Sequence, residues 1–207
     1  MGYSRHGSDS GIWPAILVGL TLGAIITPLI FKGLDKLEEH LQSQITNASS
    51  DMNEDGILDL VVGSHADGVI SVLTGDGAGN FNLRATQPGP AGLWMIVTGD
   101  LTGNGHADVT VAGGFADVGS ILHGDCTGGL GPVEHYGTDP STSATDVGDL
   151  DGDWDLDWIT SSFGGGKSDW YFWLNDGDGF FTKLLEYDST RDASCALLVD
   201  LDLDGDL

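Results

Sequence analysis

Four short acidic loops recur along the chain, beginning at Asp51, Asp100, Asp149 and Asp200, which stand 49, 49 and 51 residues apart. The first carries Asp51, Asn53, Asp55, Gly56 and Asp59, and the second Asp100, Thr102, Asn104, Gly105 and Asp108. The third carries Asp149, Asp151, Asp153, Trp154 and Asp157, and the fourth Asp200, Asp202, Asp204 and Gly205. Oxygen-bearing side chains thus fall at loop positions 1, 3, 5 and 9, with glycine at position 6 in three of the four. Self-similarity at a fixed period is the mark of a repeat architecture, and it excludes most single-core folds.

Each complete loop is followed by a β-branched, apolar run: LVV from Leu60, VTVA from Val109 and WIT from Trp158. A second run comes next (VISVL, SILH, WYFWL), then a Gly/Asp turn (TGDGAGNF, HGDCTGGL, NDGDGFF) and a further segment (FNLR, PVEHY, FTKLLEY). The runs WMIV, ATDV and CALLV lead into the second, third and fourth loops. This gives four short strands per period of about 50 residues, the pattern of an antiparallel propeller blade. The fold expected is all-β: a partial β-propeller of about three blades plus the start of a fourth, spanning residues 47–207. Alternation in WYFW puts Trp170 and Phe172 on one sheet face and Tyr171 and Trp173 on the other. Packing between blades is the expected use of these rings, with a sugar-stacking platform as the competing one.

Alternate oxygen side chains on a tightly turned backbone converge on one point. Position 7, occupied by Ile57, His106, Asp155 and Asp206, is expected to add a backbone carbonyl, and the aspartate at position 9 to close the shell. Such hard oxygen ligands suit Ca²⁺, up to one per loop, rather than Zn²⁺ or Cu²⁺. Position 12 is Val62, Val111 or Thr160 instead of the glutamate of an EF-hand. The competing reading is four Asx-turns between strands with no ion. The clustered carboxylates of the third loop would then repel one another. The second loop, with Thr102 and Asn104, is expected to bind most weakly, and Trp154 in place of glycine leaves the third loop's geometry open.

The chain carries 32 Asp and Glu against 7 Lys and Arg, a formal charge of −25, which excludes a phosphate-backbone partner. No HExxH, GxSxG or P-loop is present, so no enzymatic role is expected. Cys126 and Cys195 lie in different units and are expected to be unpaired. Ahead of the repeats, residues 12–31 hold no charge, enough for a helix spanning a bilayer core of about 30 Å. They are expected to form an uncleaved membrane anchor after a polar tail (1–11), with Gly19 and Gly23 permitting homo-oligomer contact. Leu34, Leu37, Leu41 and Ile45 suggest an amphipathic stalk helix within residues 32–46. Asn47-Ala48-Ser49 fits an N-glycosylation acceptor. Calcium-requiring modules of this type need about 0.1–1 mM calcium, so the repeats are expected outside the cell.

The segment DMNEDGILDLVVGSHADGVISVLTGDGAGNF and the Phe163-Gly164 element of the third unit resemble the FG-GAP/VCBS-type repeats of integrin-alpha-like propellers. The resemblance implies a calcium-binding propeller, usually seven-bladed, on a cell-surface protein, with the ion held at the loop positions named above. Phe115-Ala116 in place of Phe-Gly departs from it. The chain supplies three blades and part of a fourth, so a longer reading frame is expected. The functional expectation is adhesion or binding of a protein or glycan partner. The alternatives are the N-terminal piece of a secreted polysaccharide-acting enzyme and a filament or sheath subunit built through the N-terminal helix.

Overall fold

The computed structural model describes residues 45–164, 169–188, 194–202 and 207. The expected tail, membrane anchor and most of the stalk (32–46) therefore lie outside the described residues. Among those described there is no helix, and so none long and apolar enough to cross a membrane.

Twelve strands form three antiparallel four-stranded sheets. The first holds β1 (Ile45–Ser50), β2 (Asp59–Ser64), β3 (Val69–Gly75) and β4 (Phe81–Pro88). The second holds β5 (Leu93–Gly99), β6 (Asp108–Gly113), β7 (Val118–Leu122) and β8 (Glu134–Gly137). The third holds β9 (Thr142–Gly148), β10 (Asp157–Ser162), β11 (Asp169–Asn175) and β12 (Phe181–Asp188). Every sheet is a meander in chain order, so each of the three complete acidic loops joins the first strand to the second. The Gly/Asp turn joining the third strand to the fourth falls at the same end.

Burial follows from this stacking. Every residue of β6 and β10 is buried, because neighbouring chain covers both faces of these strands. Outer strands β4 and β12 are largely exposed. The sheets meet through their first strands, β1 lying against β5 and β5 against β9. Val61, Ile70, Val72, Val109 and Val111 fill the seam between the first two sheets. Leu101, Ile121, Trp158, Tyr171 and Trp173 fill the next. Fully burying one such aliphatic side chain contributes about 1.5–3 kcal/mol, so each seam is a core of its own.

Two local expectations are corrected. β1 starts at Ile45, two residues before the boundary placed at 47, and it takes up the Asn47 sequon, pairing Asn47 with Val62. Its sequence, ITNASS, is too polar to announce a strand. The run CALLV forms no ladder among the described residues, which contain no fourth sheet for it to join. Instead Ala196 and Leu198 pack on Ala144 and Ile159, and the Leu198 N–H donates to Asp146 at 2.8 Å. Cys126 and Cys195 are free thiols.

Candidate metal centre

The three complete loops share one backbone frame. The carboxylate at position 1 accepts N–H groups from across the turn. Asp51 takes Asp55 at 3.1 Å and Gly56 at 2.8 Å, and Asp100 takes Asn104 at 3.2 Å and Gly105 at 2.8 Å. Asp149 takes Gly152 at 2.7 Å and Trp154 at 3.1 Å. Positions 3 and 5 add Asx-type bonds: Asn53 and Asp55 accept from Asp55 and Ile57, Asn104 from His106, and Asp153 from Asp155. Position 6 is left-handed in all three, with φ of 80° at Gly56, 87° at Gly105 and 78° at Trp154. The third loop therefore keeps the common shape despite its tryptophan, whose side chain is 94% exposed.

Position 9 does more than close a shell. Asp59, Asp108 and Asp157 are fully buried, and each uses both oxygens on backbone donors. One oxygen accepts the N–H of position 2: Met52 at 3.0 Å, Leu101 at 2.9 Å and Leu150 at 2.8 Å. The other accepts the N–H at the end of the third strand or just beyond it: Gly75 at 2.8 Å, Gly124 at 2.8 Å and Asn175 at 2.9 Å. A carboxylate oxygen has a second lone pair, so these bonds leave room for an ion above them. His123 stands 3.6 Å from Asp108, whose carboxylate raises the imidazole above its ordinary range against the opposing effect of burial.

The loops also join sheet to sheet. The Met52 carbonyl accepts Gly128 N–H at 2.9 Å, and the Leu101 carbonyl accepts the Asn175 amide at 2.7 Å. Gly128 lies in the turn after the third strand of the second sheet, and Asn175 ends the third strand of the third sheet. Glu54 of the first loop pairs with His106 of the second. These joints were not read from the sequence, although a signal was present: position 2 is apolar in every loop, as Met52, Leu101, Leu150 and Leu201.

The third loop has the strongest cation chemistry. Asp149, Asp151 and Asp153 each offer an oxygen within 4.8 Å of the others, and among the described residues no other set of three acids or histidines does so. Partial desolvation, then Asp153 and Asp157, push the Asp151 carboxyl up. Desolvation followed by Asp153 raises Asp155 to about 6. Its side chain lies against Gly177, with one oxygen buried and unpartnered. The first loop replaces the middle carboxylate with Asn53, whose amide donates to Asp55 at 3.0 Å. The second keeps only Asp100 and Asp108 as acids, with the Thr102 hydroxyl buried and unpartnered. Asp200 meets Asp149 and Asp151 along a cavity of about 430 Å³ that Trp154 and Leu207 also line. Asp202 is exposed, while Asp204 and Asp206 lie outside the described residues.

Three stacked meanders joined through their first strands define a β-propeller repeat protein. Residues 51–111, from the first acidic loop into β6, match the FG-GAP-like repeat family. Among solved structures it is similar to the crystal structure of BBS1N in complex with ARL6DN, soaked with lead. That likeness has a TM-score of 0.55 at 15% identity and covers 78% of this chain and 49% of the other. The chain thus spans about half the length of that structure. No curated protein matches it.

Proposed function

We propose that this chain is a calcium-binding, non-enzymatic module, displayed outside the cell and held there by residues 12–31, whose blades engage a protein or glycan partner. The observation that carries the calcium reading is the convergence of Asp149, Asp151 and Asp153, three hard carboxylates on a frame that positions their oxygens. The donor set fits the ion. Bound calcium supplies positive charge that offsets the mutual repulsion of these carboxylates. Asp149, Asp151 and Asp153 would hold it, with Asp157 fixing the loop from beneath and Asp155 beside it. Equivalent but weaker sets are Asp51, Asn53, Asp55 and Asp59, and Asp100, Thr102, Asn104 and Asp108. Because position 2 of the first two loops is bonded to the next sheet, ordering a loop also stiffens a seam.

Thermal melts in EGTA and in millimolar calcium test this reading. We expect calcium to raise the melting temperature, and Asp151→Asn to remove most of the gain. A melt that does not respond to calcium refutes it. The partner class rests on the exposed Tyr187 ring stacked on Trp170 at 5.7 Å, which a glycan array addresses directly.

A further inference from the structure

At the end of the third sheet away from the acidic loops, three more aspartates meet. Asp169 opens β11 and is fully buried, and neither of its carboxylate oxygens has a hydrogen-bond donor. Asp188 stands directly opposite in the ladder on β12 and is exposed. Asp139 lies on the connection between β8 and β9, which Phe163 and Gly164 N–H groups tie to the end of β10, and one of its oxygens is buried and also without a donor. Hydrogen bonds hold that connection beside the third sheet. Thr138 N–H donates to the Asp117 carbonyl at 3.1 Å, Ser141 N–H to the Asp117 carboxylate at 3.0 Å, and Gly164 N–H to the Pro140 carbonyl at 2.9 Å.

Buried carboxylate oxygens without donors require a counter-charge or a proton. A single calcium ion fits poorly, because at 2.3–2.6 Å per bond even oxygens on opposite sides of it are only about 4.6–5.2 Å apart, and its other ligand oxygens are closer. Asp139, Asp169 and Asp188 do not bring one oxygen each within 4.8 Å of one another, whereas Asp149, Asp151 and Asp153 do. None of the ion pairs among the described residues reaches the three. A proton needs only one pair of oxygens.

We propose that Asp169 and Asp139 share one proton, forming a pH-sensitive latch that ties the connection between the second and third sheets to the head of β11. In the closed latch the Asp169 carboxyl O–H donates to Asp139. On opening, the proton passes to solvent and two facing carboxylates remain. The other groups at the site are Asp188 on β12 and the Tyr171 hydroxyl on β11. Lys183 lies over the Tyr171 ring, 5.0 Å from its centre, and is paired with Glu186. Lys167, Arg191 and Asp192 belong to segments outside the described residues. Asp139, then burial and Asp188, hold the Asp169 carboxyl up to about 7, and burial followed by Asp139 raises the Tyr171 phenol. The folded protein thus keeps a proton that the unfolded chain releases near its ordinary value of 3.8. Stability from the latch is therefore complete at acid pH and is lost as pH rises through about 7.

The test compares melts of the full chain and of Asp169→Asn from about pH 5 to about pH 8, with EGTA and with calcium. Titration of other groups, Asp155 included, cancels in the comparison. We expect the variant to lose less melting temperature than the parent as pH rises, by the same margin in both media. Parallel pH profiles overturn the proposal. So does a difference that calcium abolishes, which would place a cation there. Should Asp169→Asn not fold, Asp139→Asn and the carbon-detected NMR titration of the Asp169 carboxyl serve instead. A midpoint near neutrality is expected, and one in the ordinary carboxylate range refutes the latch. The calcium response of the loops and the pH response of Asp169 can fail independently.

Discussion

Replacing Asp108 with alanine tests whether position 9 is first of all a structural clamp. Asp108 is fully buried, and its two oxygens hold Leu101 N–H at 2.9 Å and Gly124 N–H at 2.8 Å. Truncation leaves both donors without an acceptor where water enters poorly. An orphaned buried donor costs about 1–3 kcal/mol, so two cost about 2–6 kcal/mol. Release of one buried charge offsets part of this, and about 3 kcal/mol is the expected net loss. The comparison is Asp100→Ala, whose bonds to Asn104 and Gly105 are exposed and open to replacement by water. That variant should lose less than about 1 kcal/mol when no ion is bound. Urea unfolding of both variants in EGTA isolates the clamp from calcium binding. Asp108→Asn, keeping one acceptor oxygen, should fall between alanine and the parent. Equal losses for Asp108→Ala and Asp100→Ala in EGTA would refute the clamp and leave position 9 as an ion ligand alone.

Four further outcomes are expected. Calcium at a hundredfold excess over its dissociation constant should stabilise the parent by about 2.7 kcal/mol per site, measured by chemical unfolding. Neutralising Asp149, Asp151 and Asp153 together should remove more of that gain than altering Thr102 and Asn104. Trp154→Gly should raise stability by about 1 kcal/mol in EGTA, because glycine reaches the left-handed region without strain and the exposed indole surrenders little packing; a lower melting temperature would contradict this. Asn175→Ala should cost about 2–4 kcal/mol, since its amide holds the Leu101 and Leu156 carbonyls and its oxygen accepts from Gly177 and Gly179. A loss below about 1 kcal/mol would remove Asn175 from the joint between sheets.

What could be read from the sequence was local. The run after each loop became β2, β6 and β10, and the WYFW alternation holds: Tyr171 and Trp173 face the second sheet, while Phe172 turns to Ala196 and Leu198. β1 was missed because a strand held by its neighbours needs no apolar pattern of its own. The clamp at position 9 was half legible. The recurrence of Asp59, Asp108 and Asp157 was plain, but periodicity says nothing about whether a carboxylate points at an ion or at two N–H groups. Asp139, Asp169 and Asp188 come from three different elements at irregular separations, so only the folded sheet brings them together.

The two ends of the third sheet carry acid in opposite ways, and this sets how a chain with a formal charge of −25 stays folded. At the loop end Asp149, Asp151 and Asp153 are exposed or half-exposed, and backbone N–H groups already occupy lone pairs on Asp149 and Asp153. The remaining lone pairs converge, and water can carry an ion to them. At the other end Asp169 is sealed, lacks N–H donors and meets its neighbours without the convergence that one ion requires. Calcium should therefore govern the seams at the loop end and protons the connection at the other. Raising pH and removing calcium should both loosen the contact between the second and third sheets, but from opposite ends. Hydrogen exchange separates the two effects: calcium should slow exchange first at the Trp154 and Asp155 amides, and acid first at those of Thr138 and Ser141. Protection that rose together at both ends under either condition would mean that the sheet responds as one unit, and the division between ion and proton would fall.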